Sequence, residues 1–222
     1  ETLFEKAANK KQVGISILAD TDQVYTVGLV LDEKEIYQIP AGGLLTGDYL
    51  CGKIAALGEH TVICAMDIKK VLKHVAFTDP TKVFDTGVAA YLLNPLKSSY
   101  TYDDIAREYL DGMMLPAKED LLGKTPFKKA WEDEMEGLGN YACYQAFVPY
   151  MAREFLLKKL DETGMRKVYD EIELPLVFTL DSMEKWGISV RGEELKSYGE
   201  KLSVRIQELE KLIWQEAGEE FN

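Results

Sequence analysis

Val13-Gly-Ile-Ser-Ile-Leu-Ala19 leads through Asp20-Thr-Asp-Gln23 into Val24-Tyr-Thr-Val-Gly-Leu-Val-Leu31, and Asp32-Glu-Lys34 turns the chain into Glu35-Ile-Tyr-Gln-Ile39. These apolar, β-branched runs are strand-sized, and the residues between them are turn formers. The reading is one strand, a second strand and a hairpin partner, ended by Pro40-Ala-Gly-Gly43. Upstream, residues 1–11 form a short amphipathic helix with Leu3, Phe4 and Ala7 on one face. Downstream, Asp48–Leu57 reads as a helix closed by Gly58, Thr61–Met66 as a strand and Ile68–Val75 as a helix. The order β-β-β-α-β-α predicts an α/β layer architecture built on one mixed sheet.

From Val83 onward the helical signal dominates. Phe84–Leu93 is apolar on most faces and stops before Asn94-Pro95. Thr101 is placed to cap Tyr102–Leu110, with Asp103 and Asp104 in the first turn, where the helix dipole favours them. Residues 111–126 read as a loop around a short helix. Lys128–Lys159 reads as one or two helices, interrupted near Gly137–Gly139 or Pro149. Glu171–Trp186 carries Pro175 and is closed by Gly187. Then Leu195, Tyr198, Leu202, Ile206, Leu209 and Ile213 recur at spacings of three and four along Arg191–Ala217, the seam of a long coiled-coil-like helix. The two helices predict a hairpin, read either as a dimerising surface or as plain packing.

Composition limits the function classes. Of the 222 residues, 46% are hydrophobic and 29% charged, the balance of a soluble globular chain. No run approaches the ~20 apolar residues of a spanning helix. Net charge is −12; residues 1–168 carry −5 and residues 169–222 carry −7. A free-standing nucleic-acid binder shows a basic excess, which is absent here. Cys51, Cys64 and Cys143 sit in apolar contexts and read as small core residues of a reducing compartment. With His60 and His74 as the only histidines, a Ser-His-Asp or His-rich metal site has little to draw on. The ends lack an initiator Met, a signal-peptide pattern and a closing helix stop, and read as those of a piece of something longer.

Two segments carry more than generic pattern. One is Phe84-Asp-Thr-Gly-Val-Ala-Ala-Tyr-Leu-Leu-Asn-Pro95 with Ser99-Tyr-Thr-Tyr-Asp-Asp-Ile-Ala-Arg-Glu-Tyr-Leu110. The other is Ile172-Glu-Leu-Pro-Leu-Val177 with Met183-Glu-Lys-Trp-Gly-Ile188 and Glu216-Ala-Gly-Glu-Glu-Phe-Asn222. They resemble bacterial family A DNA polymerases, the DNA polymerase I family: the first the middle of the 3′–5′ exonuclease domain, the second the start of the polymerase domain. The resemblance implies a ribonuclease H-like 3′–5′ exonuclease fold for 1–168 and the first, thumb-region helices of a polymerase domain for 169–222. It also implies that the polymerase carboxylates lie beyond Asn222, so that this fragment does not polymerise DNA.

Exonucleases of this class hold two divalent metals ~3.5–4 Å apart. The family pattern supplies four carboxylates, as Asp-x-Glu on the first strand, a later Asp in a motif led by Asn, and Tyr-x-x-x-Asp on a late helix. Onto the last of these falls Tyr141-Ala-Cys-Tyr-Gln145: Tyr141 matches the tyrosine, but Gln145 replaces the carboxylate. Onto the second falls Ile63-Cys-Ala-Met-Asp67, which keeps Asp67 and lacks the Asn. Asp67 reads either as a retained metal-ligand position or as the cap of the helix that follows. The first motif admits two registers. In one, Asp20 and Asp22 stand in for Asp-x-Glu at the i, i+2 spacing of one strand face. In the other, Ile17 and Ala19 occupy the ligand positions and Asp20 and Asp22 are turn residues, as is common for Asp.

The set is incomplete in either register. The resemblance therefore implies an exonuclease-like domain that has lost proofreading and supports a polymerase domain in DNA replication and repair. The alternatives are an active two-metal exonuclease using Asp20, Asp22 and Asp67, and an interaction module working through the helical hairpin. No metal or cofactor is expected in the fragment; Mg²⁺ belongs to the parent polymerase and to active exonucleases of the family. The expected partners are DNA, in the context of the full polymerase, and the rest of that chain. A cytoplasmic, non-membrane setting and a monomeric fragment complete the expectation.

Overall fold

The computed structural model describes residues 2–21 and 23–221. Helix α1 (Thr2–Ala8) precedes β1 (Gln12–Ala19), β2 (Val24–Asp32) and β3 (Glu35–Pro40). Then come α2 (Gly47–Gly58), β4 (Val62–Ala65), α3 (Ile68–Leu72), β5 (Val83–Asp85) and α4 (Thr86–Leu93). Helices α5 (Tyr102–Tyr109), α6 (Lys118–Leu122), α7 (Phe127–Glu132) and α8 (Glu136–Glu162) follow. Past α8, α9 (Arg166–Val168) runs through a π-helical turn (Tyr169–Glu173) into α10 (Leu174–Trp186), and α11 spans Gly192–Ala217. The chain divides into two compact units, residues 1–182 and 183–222.

The first unit is built on one mixed sheet in the order β3-β2-β1-β4-β5. β1 pairs antiparallel with β2, and β2 with β3, in the expected hairpin. On its other side β1 pairs parallel with β4, and β4 with β5. The strand β5 is a correction. The sequence places Phe84–Leu93 in one helix, but Val83–Asp85 extends along β4 and the helix starts only at Thr86. Three residues are too few to show a period of two. Only the neighbouring β4 edge makes them a strand.

Helix α8 lies against β1 and β2 with almost no side chain between them. A methyl group at Gly14 would stand 2.1 Å from the carbonyl oxygen of Ala146, and one at Gly28 would stand 2.3 Å from that of Ala142. Ser16, between them on the sheet, donates its hydroxyl to the Ala142 carbonyl at 2.7 Å. The glycines, Ser16, Ala142 and Ala146 form a small-residue seat that brings backbone onto backbone. Val13, Ile15, Val27 and Leu29 alternate with that seat along the strands, point to the other face and are fully buried. There α2, with Leu50 and Ile54 buried, packs against β2 and β4.

A second correction concerns α8 itself. Neither Gly137–Gly139 nor Pro149 interrupts it. The break falls earlier, at Asp133–Met135, where Glu134 takes a left-handed φ of 51°. Gly137 and Gly139 sit inside the helix, where an added methyl would stand 2.2 Å from the Leu121 carbonyl oxygen and from the Gln38 side chain, respectively. Helix α3 is shorter than expected and ends at Leu72.

In the second unit α11 is continuous over the expected stretch, and none of its residues is buried. Among the described residues between Tyr169 and Ala217 there is no strand. No helix among the described residues is long and apolar enough to cross a membrane.

Candidate active site

The first motif lies where β1 gives way to β2. Ile17 pairs with Val27 and Ala19 with Val24, across a register shift after Leu18. Both Ile17 and Ala19 are half-buried against the core. Asp20 falls just past the strand. Its N–H donates to the Gln23 carbonyl at 3.0 Å, and its carboxylate accepts the Gln23 N–H at 3.0 Å. The Tyr25 hydroxyl also donates to that carboxylate. Asp20 thus closes the β1–β2 turn, as a short polar side chain does well. Asp22 lies outside the described residues. Beside the turn opens a cleft of about 540 Å³ lined by Thr21, Gln23, Thr46, Lys73, His74 and Trp131, among others. Burial, then the neighbouring Lys73 charge, holds the His74 imidazole below its ordinary pKa.

Asp67 stands at the end of β4 and caps α3. One carboxylate oxygen accepts the Lys70 N–H at 3.1 Å, and the other pairs with the Lys70 ammonium at 3.2 Å. The carboxylate thus serves the start of its own helix and an exposed lysine on the same helix.

Tyr141 and Gln145 share one face of α8, one turn apart. The Gln145 amide donates to the Tyr141 hydroxyl at 2.9 Å. The Tyr141 ring packs against Tyr102 at 5.7 Å and Phe127 at 5.8 Å between centroids. Burial raises the Tyr141 pKa, so the pair is neutral. Helix α8 thus brings these two residues together, while Asp20 and Asp67 are each absorbed in local turn and cap bonding.

In the register that places Ile17 and Ala19 on the ligand positions, the positions matching the family pattern supply one carboxylate, Asp67, among the described residues. Two divalent ions ~4 Å apart repel strongly and need several carboxylates between and around them. Ile17 and Ala19 offer apolar side chains, Gln145 a neutral amide, and Asp67 a carboxylate already paired with Lys70. Among the described residues, no group of three or more His, Cys, Asp or Glu side chains is placed to hold a metal ion.

The sequence reading missed a buried carboxylate, Asp85, although it quoted the motif that contains it. Asp85 ends β5 and is 3% exposed. One oxygen accepts the Ile68 N–H at 2.7 Å and the other the Val88 N–H at 2.9 Å. It therefore caps α3 and α4 at once. Its own N–H donates to the Tyr169 hydroxyl oxygen at 2.8 Å, and that hydroxyl donates to the Asp85 carbonyl at 3.2 Å. Burial pushes the Asp85 carboxyl up to about 7, against the pull of the backbone N–H donors. This is a structural hub. The one signal available was an Asp directly ahead of an apolar helix.

No protein-family model matches the chain. Among characterised proteins, DNA polymerase I of Bacillus subtilis is 33% identical over 140 residues, which cover 63% of this chain and 16% of that polymerase. DNA polymerase I of Streptococcus pneumoniae is 31% identical over 204 residues, which cover 90% of this chain and 21% of that polymerase. The chain therefore spans between 14% and 25% of the length of these and similar relatives. The solved polymerase domain of Pol1 from M. smegmatis, in complex with DNA primer-template and dNTP, superposes on all of the chain and on 36% of its own length. The TM-score is 0.69, at 17% identity. The nuclease NrnC of Brucella melitensis, bound to pGG, matches 82% of this chain and 88% of its own, with a TM-score of 0.60 at 15% identity. The mixed sheet is that of the exonuclease folds.

Proposed function

We propose, from the premise that the chain belongs to the bacterial DNA polymerase I family over the stretch it covers, that its exonuclease-like domain no longer hydrolyses DNA. It acts instead as a structural support for the polymerase. In this reading residues 1–168 are the degenerate exonuclease domain, and residues 169–222 begin the polymerase domain. The parent is a cytoplasmic enzyme of DNA replication and repair. It meets primer-template DNA, and binds Mg²⁺, through parts of the chain other than this one.

The observation that carries the proposal is the Tyr141–Gln145 hydrogen bond on α8. Where the family pattern has a carboxylate to share a metal, this helix presents an amide donating to the tyrosine beside it. Proofreading chemistry needs negative charge to hold its metals and a tyrosine free to orient water. Here the amide brings no charge and donates to the tyrosine hydroxyl beside it. The apolar Ile17 and Ala19 support the same reading at β1.

The test is digestion of an end-labelled single-stranded oligonucleotide with Mg²⁺ or Mn²⁺. Wild type and Asp67→Ala are both expected to leave it intact, and Gln145→Asp alone is expected to restore nothing. Degradation by wild type but not by Asp67→Ala would instead establish a live site that uses Asp67, overturning this reading.

A further inference from the structure

The helix that runs from α9 into α10 carries apolar residues on two faces, and its π turn sets which of them is buried. The buried residues are Tyr169, Leu174, Val177 and Asp181. Their spacings of five, three and four do not belong to one face of a straight α-helix. At about 100° per residue, Leu174 would lie about 140° round the axis from Tyr169. A straight helix would align Tyr169 instead with Ile172, Leu176 and Leu180, spaced three, four and four. These three apolar side chains stand 57%, 41% and 40% exposed. The π turn, Tyr169–Glu173, takes up one extra residue and so lets Tyr169 and Leu174 both face inward. Pro175 favours that site for the wide turn: it has no N–H for the Glu171 carbonyl, and its ring crowds that carbonyl.

Tyr169 is held from outside the helix. β5 is an edge strand, so one side of it has no neighbouring strand. The Tyr169 hydroxyl bonds both the N–H and the carbonyl of Asp85, as a further strand would. Its ring lies 5.6 Å from that of Phe84.

We propose that the Tyr169–Glu173 turn is a one-residue register switch, held in its π form by the bonds of Tyr169 to the β5 edge. Conversion to α would exchange the Leu174–Val177–Asp181 face for the Ile172–Leu176–Leu180 face while the segment stays helical. The element has two packings because both faces are apolar enough to be buried.

Amide hydrogen exchange on the full chain tests this. Tyr169→Phe keeps the ring and removes both bonds. The amides of Asp85 and of residues 171–174 are expected to exchange at least tenfold faster, with Ile63–Ala65 unchanged. Unchanged exchange at 171–174 would overturn the holding role of the hydroxyl. A second variant addresses the alternative register without touching Tyr169. Ile172→Gln with Leu176→Gln weakens only the face that is exposed now, so residues 170–174 are expected to exchange about threefold more slowly. Equal or faster exchange would mean that the competing packing does not exist, whatever Tyr169→Phe does to folding.

Discussion

Asp85 ties more elements together than any residue the polymerase resemblance singles out. Its carboxyl holds the first turns of α3 and α4, and its main chain holds Tyr169. Removing the side chain leaves buried helix N-terminal N–H groups without an acceptor. Asp85→Ala is therefore expected to cost about 2–4 kcal/mol in urea unfolding. Its titration gives a distinct prediction. Because the folded-state pKa is raised to about 7, the folded chain keeps a proton that the unfolded chain has released, from about pH 4 upward. Stability from this group is complete at low pH, falls as pH rises from about 4 to about 7, and is flat above that. Subtracting the pH–stability curve of Asp85→Asn from that of wild type isolates the fall. Parallel curves across that range would mean that Asp85 ionises as an ordinary surface carboxyl.

Among the elements, α8 shows how a helix can be specified by what is missing from the strands beneath it. Gly14 and Gly28 let its backbone approach to a distance that no side chain permits. Both opposing atoms are main-chain carbonyl oxygens of the same helix, so neither can swing aside. Gly14→Ala is expected to cost ~3 kcal/mol or more, or to prevent folding, measured by thermal or chemical unfolding. Gly52 is the control: it lies within α2 and an added methyl would meet nothing within 4 Å. Gly52→Ala is expected to stabilise by up to about 1 kcal/mol, because alanine gives up less backbone freedom in a helix. If both substitutions cost alike, backbone propensity and not the close seat would be setting the effect.

For the whole molecule, the question is what the apolar stripe of α11 does in the isolated chain. Leu202, Ile206, Leu209 and Ile213 are 42–54% exposed, interleaved with charged residues. One seam of this length leaves association weak, and a net charge of −12 opposes it. Sedimentation velocity at micromolar concentration is expected to give a monomer. A tight dimer that Leu202→Asp dissolves would favour an interaction module over a polymerase-supporting domain.

The sequence by itself determined the hairpin of β1, β2 and β3, the strand character of β4 and the span of α11. Each of these rests on local pattern along the chain: apolar runs, turn formers, a stripe at helical spacing. It also determined the chemistry at Gln145, because an amide carries no charge in any fold. The tertiary structure decided the rest. β5 is a strand because β4 offers it an edge, and α8 runs unbroken past Pro149 because the sheet seats it. The Asp85 hub joins residues 84 positions apart, and the π turn follows from two anchors that one α-helical face cannot satisfy together. Such choices depend on which distant surfaces meet, and no local pattern of residues encodes that.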